Sequence, residues 1–176
     1  MLRNKPLYGI VGYPLWAIYN KTVDYSKQSP LVLSQIYKSD LSITIERFAL
    51  LDAAIERQRA NADFFARTLK LDSGMLCSEK PGTFYNRYMY PITFPSPEHR
   101  DAIVTYLRSR GVDTSKPYKD IAEIAATYYG YAGDCPVAEQ IAKRVLVIPS
   151  YYALKERDVQ HIAQYLNAGW AEADSQ

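Results

Sequence analysis

The sequence predicts an α+β domain, a small and largely antiparallel sheet with helices packed on it, preceded by one long helix. Three stretches carry that expectation. Apolar residues step by threes and fours from Leu41 through Ile45, Phe48, Leu51, Ile55, Ala62 and Phe65 to Leu69, which is helical spacing. The run from Phe84 to Phe94 is aromatic and rich in β-forming residues. From Asp134 to Pro149 a helix start, an apolar helical face, a β-branched run and a stop follow each other without a linker. The mixture of separate helical and strand segments in one chain of 176 residues suits a single α+β core.

The elements follow in order. Residues 1–34 form an apolar, aromatic arm punctuated by Gly9, Gly12 and Pro14; these glycines lack the spacing and context of a nucleotide loop. Ser39 or Asp40 opens the long helix, which occupies residues 35–74 with its connections and stops before Gly74. Glu46, Arg47, Asp52, Glu56, Arg57, Arg59 and Asp63 are expected on its solvated side. Residues 75–170 then form the small domain. A strand is expected over Phe84–Phe94, at an edge or a bulge because Pro91 lacks a ladder donor. Ser96-Pro97-Glu98 supplies a cap, a first-turn proline and a carboxylate at the positive helix end. That helix turns Ala102, Ile103, Tyr106 and Leu107 inward and stops at Gly111. Val112 to Ser115 is a short extended piece. Asp120 to Tyr131 holds a short helix with Ile121, Ile124 and Ala125 inward. Pro136 begins the next helix, Val145–Ile148 is a buried strand ended by Pro149, and a final helix buries Val159, Ile162, Ala163 and Leu166. Residues 171–176 read as a loose tail.

Composition narrows the function. A net charge of +2, mixed along the chain, gives no basic stripe for nucleic acid and no face for a membrane surface. The longest apolar stretch, Leu7 to Tyr19, is too short and too interrupted to span a bilayer. Two cysteines, Cys77 and Cys135, form no disulfide framework, so free thiols and a cytoplasmic location are expected. His99 and His161 are far apart in sequence and are expected on solvated helix faces, which gives no metal pair. Cys135 at a helix start has the setting of an activated thiol. Arg87 is suited to clamp a phosphate or carboxylate, or to lie as a surface arginine among tyrosines. The chain holds 16 tyrosines, residues that stack on sugars but more often sit half-buried with the hydroxyl in water.

From Gln35 to Leu166 the chain resembles the C-terminal part of the DegT/DnrJ/StrS family, sugar aminotransferases of fold type I that use pyridoxal phosphate (PLP). The pieces that carry the resemblance stand in family order. Tyr37-Lys38-Ser39-Asp40-Leu41 is similar to the entry into the family's domain-connecting helix, and Leu51-Asp52, Ile55, Arg57, Arg59, Asn61 and Ala62 to the helix itself. Tyr85-Asn86-Arg87-Tyr88-Met89-Tyr90-Pro91-Ile92 resembles the strand that opens the small domain. Arg100 through Gly111-Val112 resembles the helix and turn after it, and Pro117-Tyr118 the loop beyond. Cys135-Pro136-Val137-Ala138-Glu139, the strand, Pro149 and the last helix resemble the family's end. The resemblance implies weak substrate contacts from Arg87, Tyr37 and Tyr118. It also implies a structural role for Cys135, a reading that ranks well above the activated thiol.

The chain also departs from the family. The family's first half supplies a lysine that anchors PLP, an aspartate for the ring nitrogen and hydroxyls for the phosphate, functions that PLP chemistry requires. No lysine here has the family's glycine-rich context; Lys5, Lys21 and Lys27 precede the matching region among unrelated neighbours. Gln35 stands where the family has an asparagine that reaches a neighbouring subunit's cofactor. Lys155 replaces the serine or threonine cap of the last helix, with Asp158 still three residues on. The expectation is therefore the C-terminal half of a sugar aminotransferase of nucleotide-sugar or polysaccharide biosynthesis, with no catalytic, cofactor-binding or metal residue of its own. It would work with a separately encoded cofactor half or as a homo-oligomer. The alternative is a non-catalytic module that binds a partner or a sugar nucleotide. An enzyme of another kind has no positive support.

Overall fold

The computed structural model describes residues 14–15, 18–19 and 35–174, so the arm expected over 1–34 lies almost wholly outside the described residues. Over residues 35–174, six helices and two strands follow in order: α1 (Lys38–Phe48), α2 (Leu51–Thr68), β1 (Tyr90–Thr93), α3 (Pro97–Ser109), α4 (Ile121–Tyr129), α5 (Pro136–Arg144), β2 (Val145–Ile148) and α6 (Glu156–Ala173). A 3₁₀ turn at Ser73–Met75 lies between α2 and β1. The α+β class expected from the pattern is the class observed.

The sheet is small because its strands are short. β1 pairs antiparallel with β2, Tyr90 opposite Ile148 and Thr93 opposite Val145. Single bridges, Leu76 to Ile92 and Ser115 to Val147, extend it on either side. Pro91 is tolerated because it faces Val147, whose N–H and C=O both go to Ser115 rather than to β1. The regular strand covers only Tyr90–Thr93; most of the aromatic run before it is loop. Ser115 justifies the short extended piece expected after Gly111.

The core lies between this sheet, α3, α6 and the second half of α2. Phe65, Ile92, Phe94, Ile103, Leu107, Leu146, Ile148 and Leu166 are its largest fully buried side chains. Helices α3 and α6 approach closely at Gly169, where a Cβ would stand 2.8 Å from Cδ1 of Tyr106. Only glycine fits that crossing. Asn167 of α6 ties down the end of α2: its Nδ2 donates to the Thr68 carbonyl at 2.9 Å, and its Oδ1 accepts from the Lys70 N–H at 2.7 Å.

Local signals explain the helix ends. The Ser96 hydroxyl accepts from the His99 N–H at 3.3 Å, and Pro97 opens α3. Gly130 ends α4 with φ 68, a left-handed conformation that suits glycine. Cys135 and Pro136 open α5, which runs into β2 with no loop.

Four expectations change. The long helix is two helices, divided at Ala49 and Leu50, where the Leu50 N–H bonds back to Arg47 and the ladder tightens. The division falls where tertiary contact begins: α1 has no buried residue, whereas α2 buries Asn61, Ala62 and Phe65. Helix α4 buries none of its residues, and Ile121 is 49% exposed. On α3, Val104 rather than Ala102 is buried, two residues further along the helix. The expected loose tail begins later, because α6 continues to Ala173 and Trp170 packs on Phe94, ring centroids 5.8 Å apart.

Candidate functional site

The polar centre of the described residues is built on α2 and the loop before β1. Glu79 is its hub. Its carboxylate accepts from the Tyr85 N–H at 3.0 Å, from Arg59 Nη1 at 3.0 Å and, at 3.5 Å, faces Arg87 Nη2. Arg59 reaches it because α2 presents that position towards the loop. The same nitrogen donates to the Tyr85 carbonyl, and the guanidinium lies 4.7 Å over the Phe84 ring. Arg87 Nη1 donates to the Cys77 carbonyl at 3.0 Å, and its guanidinium lies 4.8 Å over the Tyr85 ring. The Tyr85 N–H and the two guanidiniums hold the Glu79 carboxyl below the usual carboxylate value. Burial raises the Tyr85 and Tyr90 hydroxyls above the ordinary tyrosine value.

Two further contacts lock the loop to its neighbours. Gln58 Nε2 donates to the Asn86 carbonyl at 3.2 Å. Asn61, 4% exposed, donates to the carbonyls of Ser150 and Tyr151, each at 3.2 Å, which pins the segment after β2 to α2. A cavity of 320 Å³ opens beside the hub, lined by Asp63, Ser73, Ser78, Glu79, Arg87 and Tyr90 among others.

The three sequence-suggested substrate residues separate here. Arg87 is enclosed, with 12% of its side chain exposed and its nitrogens on Glu79 and Cys77. Tyr37, 75% exposed, caps α1, and Tyr118, 58% exposed, precedes α4; no hydrogen bond or ring contact joins either to Arg87. Arg87 and Tyr118 share one property. They are the non-glycine residues with positive φ among the described residues, 58 and 67. Such backbone costs of order 1–2 kcal/mol and collects at sites where geometry matters more than stability.

Sequence reasoning missed the hub. It placed Arg59 on the solvated side of the helix, and its partner Glu79 lies 20 residues away with no periodic signal to link them. The two cysteines are where they were expected. Cys135 sits at the start of α5 and Cys77 in the loop, both exposed and unpaired. The Cys135 N–H donates to the Tyr131 hydroxyl at 2.8 Å, which itself donates to Glu139 at 2.8 Å. Burial first, and then the Glu139 carboxylate, push the Tyr131 hydroxyl up to about 12. His99 is half-buried rather than solvated, its ring 5.7 Å from Trp170; His161 is exposed. No group of three or more His, Cys, Asp or Glu side chains able to hold a metal occurs among the described residues.

Among the described residues, none offers PLP an enclosed lysine. Neither the 320 Å³ cavity beside Glu79 nor the one between α3 and α6 is lined by a lysine. Lys116 is engaged with Asp101 at 3.1 Å, and the other described lysines stand exposed to solvent. Anchoring the cofactor needs a lysine held in an enclosed site, and none of these meets that need.

The model of the DegT/DnrJ/EryC1/StrS aminotransferase family matches residues 35–167. The chain belongs to this family. A pleiotropic regulatory protein of Geobacillus stearothermophilus is 27% identical over 137 residues, covering 74% of this chain and 36% of that protein. Among solved structures, the aminotransferase TlmJ from Streptoalloteichus hindustanus is 28% identical, with a TM-score of 0.67, covering 74% of this chain and 35% of that one. Helicobacter pylori PseC, an aminotransferase involved in pseudoaminic acid biosynthesis, shares the fold at 15% identity, with a TM-score of 0.66, over 86% of this chain and 43% of that one. The DegT-family match is thus to a part: the chain spans 35–43% of the length of these relatives. No helix among the described residues is long and apolar enough to cross a membrane.

Proposed function

We propose that this chain supplies the small-domain part of a DegT-family sugar aminotransferase acting on nucleotide-linked sugars, and that the PLP-anchoring machinery is supplied from outside these 176 residues. The observation that supports it most is the family match over residues 35–167, set against a chain that covers 35% of the TlmJ structure. In this reading Arg87 fixes the loop Tyr85–Tyr90 through Glu79, and the exposed rings of Tyr118 and Tyr37 are left to face a sugar. The left-handed backbone at Tyr118 sets the direction of that ring. The likeness to sugar aminotransferases supports this substrate class. A cofactor-bearing partner, made separately, completes the site.

The reading is tested by titrating the purified chain with PLP, reducing with borohydride and mapping the product by mass spectrometry. The expected result is no stoichiometric attachment to any one lysine. A single lysine modified to completion at equimolar PLP overturns it, because the chain would then hold the anchor that the reading places elsewhere.

A further inference from the structure

Among the described residues, the buried side-chain polar atoms without a hydrogen-bond partner are Nε and Nη1 of Arg100 and Oγ1 of Thr114. Arg100 stands on the core stripe of α3 with Ile103, Val104 and Leu107, and its side chain is 3% exposed. Ser115 exchanges backbone hydrogen bonds with Val147 in both directions, so the chain is extended there and its neighbours Thr114 and Lys116 turn to the same side. Lys116 Nζ donates to Asp101 Oδ1 at 3.1 Å, and the same oxygen lies 2.7 Å from Arg100 Nε. Arg100, Thr114 and Lys116 thus gather around one carboxylate.

We propose that Arg100, Thr114 and Lys116 form a binding site for a phosphate dianion, which displaces the Asp101 carboxylate. That carboxylate is a poor occupant. Adjacent helical positions do not face each other, and it meets Arg100 Nε without closing a hydrogen bond. It also brings one negative charge to two cations. A buried guanidinium with unmatched N–H groups is costly. A phosphate brings a second charge, and oxygens enough for the forked donors of Arg100, the Thr114 hydroxyl and the Lys116 ammonium together.

Access runs through Asp101. Its side chain is 51% exposed, whereas the Arg100 head that it touches is enclosed. Asp101 also lines the 600 Å³ cavity between α3 and α6, with Thr105, Tyr106 and Gly169. A turn of the Asp101 side chain into that cavity uncovers the Arg100 N–H groups and leaves Lys116 free to follow the anion. None of these residues belongs to the hub around Glu79, so the proposal stands apart from the reading as an aminotransferase part.

It is tested by calorimetric titration of the intact chain with inorganic phosphate and with methyl phosphate, at fixed ionic strength and about pH 8, where both are dianions. The expected result is saturable binding at a single site. Asp101→Asn removes the competing carboxylate and strengthens binding about tenfold, and Lys116→Ala weakens it about tenfold. Thr114→Val weakens it by less. Both Asp101 and Lys116 are partly exposed, so neither change empties the core. Arg100→Met, which fills the same space without charge, abolishes binding; where that variant does not fold, Lys116→Ala carries the test. Lys119→Ala, at the neighbouring exposed pair with Asp120, leaves binding within about twofold. Binding of inorganic phosphate alone assigns the site to the free ion, and binding of both assigns it to phosphate esters as well. No saturable binding of either, an Asp101→Asn chain that binds no better than the native one, or a loss from Lys119→Ala equal to that from Lys116→Ala overturns the proposal.

Discussion

Helix α1 and helix α6 are written in the same periodic pattern and end in opposite surroundings. On α6, Val159, Ile162, Ala163 and Leu166 are at most 5% exposed. On α1, Leu41, Ile45 and Phe48 are at least 45% exposed. An apolar stripe thus states that a helix has a face to bury, and says nothing about whether the partner lies in the same chain. For α6 the partner is α3, which meets it at the Gly169–Tyr106 crossing. For α1 no described element serves.

The largest effect expected from this contrast is in stability. Leu166→Ala empties part of a fully buried site and should cost about 2–5 kcal/mol. Ile43→Ala, on the exposed α1 and away from its stripe, should change stability by no more than about 0.5 kcal/mol. Urea unfolding of the two variants checks the pair. Equal losses would mean that α1 is packed within its own chain and that the two helices do not differ as described.

Within α2 the same contrast runs along one helix. Its first half is open, and its second half is held by Phe65 and by the Asn61 side chain. Asn61 donates to the carbonyl of Ser150, which is itself 3% exposed, and to that of Tyr151, which also accepts from the Leu154 N–H at 3.1 Å. Asn61→Ala should therefore cost about 1–3 kcal/mol, the expense of leaving the buried Ser150 acceptor unmatched. Arg57→Ala, one turn earlier and exposed, should stay within about 0.5 kcal/mol. Thermal melts of both variants make the comparison, and a harmless Asn61→Ala would show that the post-β2 segment is held by packing alone.

Much of the domain was legible because its signals are local. Ser96-Pro97, Gly111, Gly130 and Pro136 each mark an end through their own backbone chemistry, and each stands where that chemistry predicts. The apolar set of α6 was read correctly because a helix against a core leaves a clean period. What escaped depends on distant pairing. Arg59 looked like one more charge on a wet face, and only the fold brings Glu79 and the Tyr85 carbonyl to it. The break at Ala49–Leu50 has no glycine or proline to announce it. The aromatic run before Tyr90 has strand composition, but its Tyr85 N–H goes to Glu79 and its Asn86 carbonyl accepts from Gln58 of α2 rather than from a ladder. The site residues were legible as residue types and not as a constellation: Arg87, Tyr37 and Tyr118 do not converge.

The smallest effect compares two helix starts. Helices α3 and α6 pack against each other, and both begin at the rim of the same core. Ser96 caps α3 with a hydrogen bond to the His99 N–H. Lys155 stands at the same position of α6 and makes no side-chain cap bond. Its positive charge also faces the positive end of the helix dipole. Asp158, three residues on, remains in the first turn, where a cap hydroxyl would complete the reciprocal pair. Lys155 is exposed, so replacing it disturbs no packing. Lys155→Ser should then stabilise the chain by about 1 kcal/mol, the usual worth of such a cap, and raise Tm by about 2–4 °C. Ser96→Ala should lower it by a similar amount. If Lys155→Ser gains nothing while Ser96→Ala loses the full amount, the first turn of α6 is fixed by the buried Val159 beneath it and not by its end groups.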